Sequence, residues 1–217
     1  VKRVTIRHKP PMYIPSPTLY RRSDSFAVAG STPRARPPHN VQDRTAFVIQ
    51  TIADALAQQG YETLTAVQEA VTDPALNDQD LLVSAQTGSG KTVGFGLAIA
   101  PTLLGEDTHF GQAGAPLALI IAPTRELAMQ VSRELTWLYG KAGAVVTTCV
   151  GGMDTRTERR ALDRGAHIVV ATPGRLCDHI KRNNIDLDSL RAVVLDEADE
   201  MLDLGFREDL EFILSES

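Results

Sequence analysis

Residues 80–92 read DLLVSAQTGSGKT, and this stretch decides the fold. The apolar run at residues 81–85 predicts a strand that is buried on both faces. It leads into a turn of small residues that closes with Lys91-Thr92. The next residues predict a helix to about Ala100, where Pro101 would end or kink it. A strand, a glycine-rich turn and a helix in this order are typical of a phosphate-binding loop.

The chemistry of this turn suits a nucleotide. Small residues let the backbone curl so that its N–H groups point at phosphate oxygens, and the helix N-terminus adds positive potential. Lys91 can reach the β and γ phosphates, and the Thr92 hydroxyl can coordinate Mg²⁺. The pattern G-x-x-x-x-G-K-[ST] is broken by Ala85 at its first position. The strand before the turn and the helix after it still favour a nucleotide site over a chance Gly/Ser turn. The predicted phosphate-binding residues are Gln86, Thr87, Gly88, Ser89, Gly90, Lys91 and Thr92.

Strands and helices alternate through the rest of the chain. One helical face carries Leu127, Val131, Leu135 and Leu138, and Thr172-Pro173 supplies an N-cap and a proline at the first helical position. The alternation predicts an α/β fold, a doubly wound and mainly parallel sheet flanked by helices. Ligands of such folds bind beyond the carboxyl ends of the strands. The predicted strands are residues 80–86, 116–122, 144–150, 167–172 and 191–196.

An acidic pair follows the last predicted strand. Asp196 would hold the magnesium shell, partly through water, and Glu197 could take a proton from an attacking water. A solvated acidic helix start is the alternative, but it is weak directly after an apolar strand in a chain that has a phosphate loop. The predicted catalytic residues are therefore Lys91, Asp196 and Glu197, and the predicted Mg²⁺ ligands are Thr92 and Asp196.

Composition excludes several other classes of protein. The 217 residues carry a formal charge of −5, and no apolar run suits a membrane span or a signal peptide. Cys149 and Cys177 lie too far apart for a C-x-x-C site, and the five histidines show no metal-ligand spacing. We expect a soluble, cytoplasmic protein that does not bind membranes.

The first 45 residues differ in composition from the rest. They hold nine of the 22 basic residues, two of the 27 acidic residues and seven of the 12 prolines. Their formal charge is +7, whereas residues 46–217 carry −12. This composition predicts a disordered basic arm at residues 1–45, either a solvated tail or a tether for nucleic acid, before one domain at residues 46–217.

Five motifs together resemble a known family. AQTGSGKT (85–92), PTRELA (123–128), Gly151-Gly152, TPGR (172–175) and DEAD (196–199) occur in the order seen in DEAD-box RNA helicases. The resemblance covers about residues 46–217. These residues resemble the first RecA-like domain of that family, which is a P-loop domain. It implies an enzyme that uses ATP and Mg²⁺ to unwind or remodel RNA.

The resemblance also implies a glutamine motif that selects adenine. Here this motif is Gly60–Gln68, and its nucleotide-binding residues are Tyr61, Thr63 and Gln68. Leu64 and Ala66 stand where the family has prolines. The nearest candidate for the upstream aromatic residue is Phe47, for which a role in the core is an equal alternative.

The remaining motifs suit the phosphates of an RNA backbone. Backbone N–H groups, hydroxyls and arginines at helix starts bind phosphates without reading bases, and a glycine pair allows close approach of the RNA. Ordinary helix capping is the alternative for each motif taken singly. The predicted RNA-contacting residues are Pro123, Thr124, Arg125, Gly151, Gly152, Thr172, Pro173, Gly174 and Arg175.

Two other functions are weighed against the helicase interpretation. The chain could be a nucleotide- and RNA-binding module without unwinding activity, or part of a related superfamily 2 DNA translocase. Members of the family continue into a Ser-Ala-Thr motif and a second RecA-like domain, and residues 1–217 contain neither. We therefore expect these residues to be a fragment of a longer enzyme, with the second RecA-like domain and RNA as its partners.

Overall fold

A computed structural model describes residues 2–8, 18–21, 48–76, 79–86 and 88–217 of the chain. Within these residues a seven-stranded sheet has helices on both faces, as the alternation of strands and helices predicts. The strand order is β2-β3-β1-β7-β4-β6-β5, and every neighbouring pair is parallel except β2 with β3. The strands are β1 (Lys2–His8), β2 (Thr18–Arg21), β3 (Leu81–Ala85), β4 (Ala118–Ile121), β5 (Val146–Cys149), β6 (Ile168–Ala171) and β7 (Ala192–Leu195).

The central strands are buried on both faces because their side chains alternate between two cores. In β4, Ala118 and Ile120 belong to one core, whereas Leu119 and Ile121 belong to the other. This two-residue period explains why the predicted strands read as continuous apolar runs rather than as alternating patterns. The five predicted strands correspond to β3, β4, β5, β6 and β7, with ends that differ by one or two residues.

The helices divide between the two faces. The first four supply side chains to the core on one face, and the last three to the core on the other. The helices are α1 (Gln50–Gln58), α2 (Ala66–Val71), α3 (Lys91–Leu104), α4 (Arg125–Leu138), α5 (Thr155–Asp163), α6 (Pro173–Lys181), α7 (Ala198–Asp203) and α8 (Arg207–Ser215). No helix in the described part of the chain has the length and apolar character that crossing a membrane requires.

Helix α3 runs further than the sequence predicts. Pro101 lies inside the helix, which continues to Leu104 and ends at Gly105. The last turn persists because Leu103 and Leu104 are buried in the core, and this burial outweighs the hydrogen bond that proline removes. In α4, Val131, Leu135 and Leu138 are fully buried, as the helical spacing predicts.

The N-terminal segment differs from the expected arm in two places. Strand β1 lies between β3 and β7, parallel to both, and β2 pairs antiparallel with β3. Val4 is fully buried in the core. The expectation of no regular structure is therefore corrected for residues 2–8 and 18–21.

Averaged composition concealed β1. All seven N-terminal prolines come after residue 9, and residues 4–6 are the β-branched Val-Thr-Ile, which favours a strand. Residues 1, 9–17 and 22–47, which include the rest of the predicted arm and Phe47, lie outside the described residues.

Candidate functional site

The phosphate loop and the acidic pair lie at one edge of the sheet. The loop follows β3, the acids follow β7, and both strands pair in parallel with β1, so that their carboxyl ends point the same way. Open α/β sheets bind their ligands at this edge. The fold therefore brings together two segments that lie more than 100 residues apart in the chain.

Two glycines give the phosphate loop its shape. Gly88 and Gly90 have φ of 77° and 80°, the left-handed region that glycine enters without strain. A Cβ at Gly90 would collide with the Gln68 side-chain nitrogen. Ala85, the departure from the expected glycine, is the last residue of β3, where the extended backbone accepts a side chain. Thr87 lies outside the described residues.

Lys91 joins the loop to the acidic pair. Its Nζ lies 2.7 Å from Glu197 Oε1 and donates a second, longer hydrogen bond to Ala85 O at 3.4 Å. Both charged side chains are largely buried. A buried ion pair of this geometry keeps the ammonium group at the mouth of the loop, where a nucleotide phosphate would replace the carboxylate as its partner.

The acidic pair has buried oxygens without partners. Asp196 Oδ1 and Glu197 Oε2 make no hydrogen bond within the described part of the chain, and Asp196 is only 3% exposed. Burial, with the nearby Glu197 charge, raises the pKa of Asp196 to about 7, against the lowering effect of Lys91. Unsatisfied buried oxygens are costly unless a cation or donor meets them. These two oxygens suit a hard divalent cation such as Mg²⁺.

The backbone of Glu197 is also unusual. Its φ is +52°, in the left-handed region that residues with a side chain rarely adopt. Strained backbone of this kind clusters at functional sites, where the surrounding structure holds it in place.

Thr92, the other predicted Mg²⁺ ligand, is the second residue of α3 and is half-buried beside Lys91.

The glutamine motif lies against the phosphate loop. Gln68 is fully buried; its Oε1 accepts from the Thr65 backbone N–H at 2.9 Å, and its Nε2 donates to Gly90 O at 3.2 Å. Tyr61 stacks on Trp137, with ring centroids 5.8 Å apart, and Thr63 is exposed. The structure thus places the Gln68 amide on the loop, and its contact with adenine stays a prediction.

Sequence reasoning missed Thr65. Its hydroxyl donates to Ser89 O at 2.9 Å and accepts from the Gln68 backbone N–H, which caps α2. The signal was present in the sequence, because a threonine followed three residues later by a glutamine is a capping box. Thr65 and Gln68 together tie the start of α2 to the phosphate loop.

The segments that follow β4, β5 and β6 meet beside this site, also at the carboxyl ends of their strands. Thr124 caps α4 by accepting from the Leu127 N–H at 3.2 Å, and Arg125 is exposed. The backbone N–H of Gly151 donates to Thr172 Oγ1 at 3.3 Å. Thr172 is the N-cap residue of α6, but its hydroxyl does not cap the helix because it accepts the hydrogen bond from Gly151. Pro123 is buried, and Gly174 is exposed.

Arg175 differs from the other predicted RNA contacts because its guanidinium group points inward. The side chain is 15% exposed, and Nη1 lies 2.7 Å from Glu158 Oε2. Glu158, which sequence reasoning also missed, is the one buried residue of α5. Its side-chain partners follow it by 17 to 21 residues and its backbone partner, Val150, precedes it by eight, so no helical spacing marks it.

Comparisons with known proteins agree with this arrangement of motifs. The family described as DEAD/DEAH box helicase matches residues 65–217. DEAD-box ATP-dependent RNA helicase 53 of Oryza sativa is 42% identical over 164 residues, which is 75% of this chain and 27% of the relative. DEAD-box ATP-dependent RNA helicase CshA of Geobacillus kaustophilus is 43% identical over 166 residues, 76% of this chain and 34% of the relative.

A third relative matches nearly all of the chain. DEAD-box ATP-dependent RNA helicase 9 of Oryza sativa is 37% identical over 206 residues, which is 94% of this chain and 32% of the relative. The chain thus spans between 27% and 34% of the length of these curated relatives.

Proposed function

The chain belongs to the DEAD/DEAH box helicase family, and from that premise we propose that residues 46–217 form the ATP-binding domain of a cytoplasmic ATP-dependent RNA helicase. The domain binds Mg²⁺-ATP at the ends of β3 and β7. It binds the RNA backbone, without reading bases, on the loops that follow β4, β5 and β6. Together with a second RecA-like domain, the enzyme couples ATP hydrolysis to RNA unwinding or remodelling.

The observation that carries this proposal is the contact between Lys91 and Glu197. A lysine at the start of a helix, within a glycine-rich loop, meets the acid of a DEAD segment that lies 106 residues away. Phosphate loops bind the β and γ phosphates through such a lysine and through backbone N–H groups. The neighbouring acids then lie beside the place where the γ phosphate and its attacking water would bind.

The residues present also fit Mg²⁺. Asp196 Oδ1 is buried and unpartnered within the described residues, and the Thr92 hydroxyl lies in the first turn of α3. When bound, the ion would neutralise phosphate charge. Asp196 and Thr92 would hold it, and Glu197 would remain available to orient water.

Replacing Lys91 by alanine should weaken ATP binding by roughly tenfold to a hundredfold. Charge-assisted hydrogen bonds contribute about 1.5–3 kcal/mol, and the ammonium group supplies such bonds to the phosphates. We expect isothermal titration calorimetry with Mg²⁺-ATP to show this loss in a protein whose circular dichroism spectrum is unchanged.

The matched control for Lys91 is Lys141→Ala, since Lys141 is exposed in the 3₁₀ helix Gly140–Ala142. That variant should bind ATP as the wild type does. Unchanged ATP affinity in a folded Lys91→Ala protein would remove the phosphate loop from the proposal.

Adenine nucleotides should bind more tightly than guanine nucleotides, by roughly tenfold to a hundredfold. In the described residues the Gln68 amide makes two of its four possible hydrogen bonds, which leaves a donor and an acceptor. Because the side chain is fully buried, the amide would have to turn toward the nucleotide to offer them to the adenine edge. A mispaired buried polar group costs about 1–3 kcal/mol. Competition between ADP and GDP for one fluorescent nucleotide measures the preference.

Two variants separate base recognition from loop support. Gln68→Ala should abolish the preference for adenine. Thr65→Ala removes the cap of α2, but the preference for adenine should remain. Equal affinities of the wild type for ADP and GDP would show that Gln68 does not read the base.

A binding module without unwinding activity is the first alternative. The chain corresponds to 34% or less of each of these relatives, so the alternative applies to residues 1–217 on their own. A DNA translocase would share the nucleotide chemistry. Competition between RNA and DNA oligonucleotides of one sequence distinguishes it, because a translocase for DNA should prefer the DNA strand.

A further inference from the structure

Glu158 is a buried carboxylate outside the nucleotide site. It lies in the first turn of α5 and is 6% exposed, whereas its neighbours Arg156, Thr157, Arg159 and Arg160 are exposed. A buried charge is stable only when other groups neutralise it and hydrogen-bond to it. Its partners therefore indicate what this residue does.

Each oxygen of Glu158 accepts hydrogen bonds from a different part of the chain. Oε1 accepts from the Val150 backbone N–H at 2.8 Å. Oε2 accepts from Arg175 Nη1 at 2.7 Å and from His179 Nε2 at 2.8 Å. Burial alone would raise the pKa of Glu158, but the hydrogen bonds from His179, Val150 and Arg175 outweigh burial and lower it. The carboxylate thus joins the end of β5 to the first two turns of α6.

Arg175 extends this network beneath the loop that carries the glycine pair. Besides Glu158, its Nη1 donates to Met153 O and to Thr155 Oγ1, both at 3.0 Å. Residues 150–155 are therefore held from inside the protein by one arginine and one glutamate. Since the guanidinium group makes these contacts, it faces the protein rather than solvent.

The outer side of the same loop carries a different arginine. Arg125 is exposed, and its Nη2 donates to Met153 Sδ at 3.3 Å. Gly152 has φ of 80°, and a Cβ there would lie 3.0 Å from Arg125 Nη1. Of the two arginines of the predicted RNA surface, Arg175 thus contacts the loop from a largely buried position and Arg125 from an exposed one, where a ligand can reach it.

We propose that Glu158 and Arg175 are positioning residues for RNA binding. Glu158 holds Arg175 in place, and Arg175 fixes the Gly151-Gly152 loop rather than contacting a phosphate. This inference rests on the proposed function, because it assigns roles within the RNA surface of that function. It reassigns one predicted phosphate contact, Arg175, to the support of the loop.

A metal centre at this place is a weaker interpretation. The Cys149, Glu158 and His179 ligand atoms all lie within 4.8 Å of one another. However, Glu158 Oε2 already accepts from Arg175 and His179, and the arginine supplies the positive charge that a metal ion would bring. In the metal-free protein, burial raises the pKa of the Cys149 thiol to about 12, so the side chain is a neutral thiol.

The test compares salt dependence among variants of the 217-residue chain, with a fluorescein-labelled single-stranded RNA as the probe. Each phosphate contact contributes about −0.7 to the slope of log K against log salt concentration for a single strand. Arg125→Ala should make the slope shallower by about that amount. Arg175→Ala and Glu158→Ala should each weaken binding several-fold at every salt concentration, with the slope unchanged.

A double-variant cycle tests whether the two residues act as one unit. Glu158→Ala combined with Arg175→Ala should lose about as much RNA affinity as either single variant, because residues in one network are not additive. Arg175→Lys keeps the charge but lacks the planar guanidinium group that sets the position of Nη1 among its three acceptors, so it too should bind RNA several-fold more weakly. If Arg175 instead contacted a phosphate, Arg175→Lys would keep most of the affinity.

Hydrogen exchange supplies a readout that does not depend on RNA. Amides at residues 150–153 should exchange faster in Glu158→Gln, which keeps an acceptor for Val150 but turns an amide N–H₂ group toward Arg175 and His179. The control is the exposed Asp178–Arg182 pair on α6, 3.3 Å apart, whose alanine variants should change neither exchange nor affinity.

The outcomes separate the two proposals. Wild-type RNA affinity in folded Glu158→Gln and Glu158→Ala proteins would overturn the positioning role alone, as would a slope in Arg175→Ala reduced to that of Arg125→Ala. No RNA binding by the wild type would overturn the RNA surface itself and this inference with it.

Discussion

Replacing Glu197 by glutamine should leave ATP bound but slow its hydrolysis by about 10²–10⁴-fold, the usual contribution of a positioned general base. The amide keeps the shape of the side chain, so Mg²⁺-ATP affinity should not fall. What is lost is the group that orients the attacking water and takes its proton. We expect this in a protein that joins residues 1–217 to a second RecA-like domain, where turnover is high enough to measure.

The geometry around Glu197 gives the reason. Its Oε1 pairs with Lys91 at 2.7 Å, and its Oε2 is buried without a partner in the described residues. A bound nucleotide would draw Lys91 toward its phosphates and release the carboxylate for the water. Glutamine at 197 also removes the ion pair that competes with the phosphates, so binding should be equal or tighter.

The measurement is steady-state phosphate release with saturating RNA, alongside calorimetric ATP binding. Glu200→Gln is the matched control, because Glu200 is exposed on α7 and its substitution changes the charge by the same amount. It should keep wild-type turnover. A Glu197→Gln protein that hydrolysed ATP at the wild-type rate would show that another group activates the water.

The strands and the nucleotide loop were predictable because their signals are local. Strands β4, β6 and β7 are continuous apolar runs, and burial on both faces of the sheet requires such runs. Gly88 and Gly90 stand where the backbone turns with positive φ, so their positions in the sequence carry the geometry of the loop. Composition misled only where it was averaged, since the prolines of residues 10–38 concealed the short strand β1.

Long-range partners could not be predicted from the sequence. Arg175 has the residue type of a phosphate ligand, and only the fold shows that Glu158 and the Met153 carbonyl engage it from inside the protein. The same holds for Gln68, whose amide meets Gly90 across 22 residues. In both cases the side chain can make the predicted contact, and tertiary packing decides which partner it has.

Residues 1–217 alone should bind nucleotide but should not unwind RNA, and their ATP hydrolysis should lie about 10³–10⁵-fold below that of a protein with a second RecA-like domain. In the described part of the chain, the cation that contacts the acidic pair is Lys91. Phosphoryl transfer needs more positive charge around the γ phosphate, and arginines supplied across an interface give rate factors of this size. In the resembled family these arginines come from the second RecA-like domain.

Strand separation needs the second domain for a further reason. The proposed RNA surface lies on loops along one edge of one sheet, so it would hold a strand but would not close around it. Closure of two domains around ATP would convert nucleotide binding into force on the duplex. The assay follows release of a labelled strand from a short RNA duplex with ATP, by residues 1–217 and by the two-domain protein, with Lys91→Ala of each as the blank. One RecA-like domain supplies neither the arginines nor the closure, so residues 1–217 should not unwind the duplex. ATP-dependent unwinding by residues 1–217 at the rate of the two-domain protein would show that the second domain is not needed.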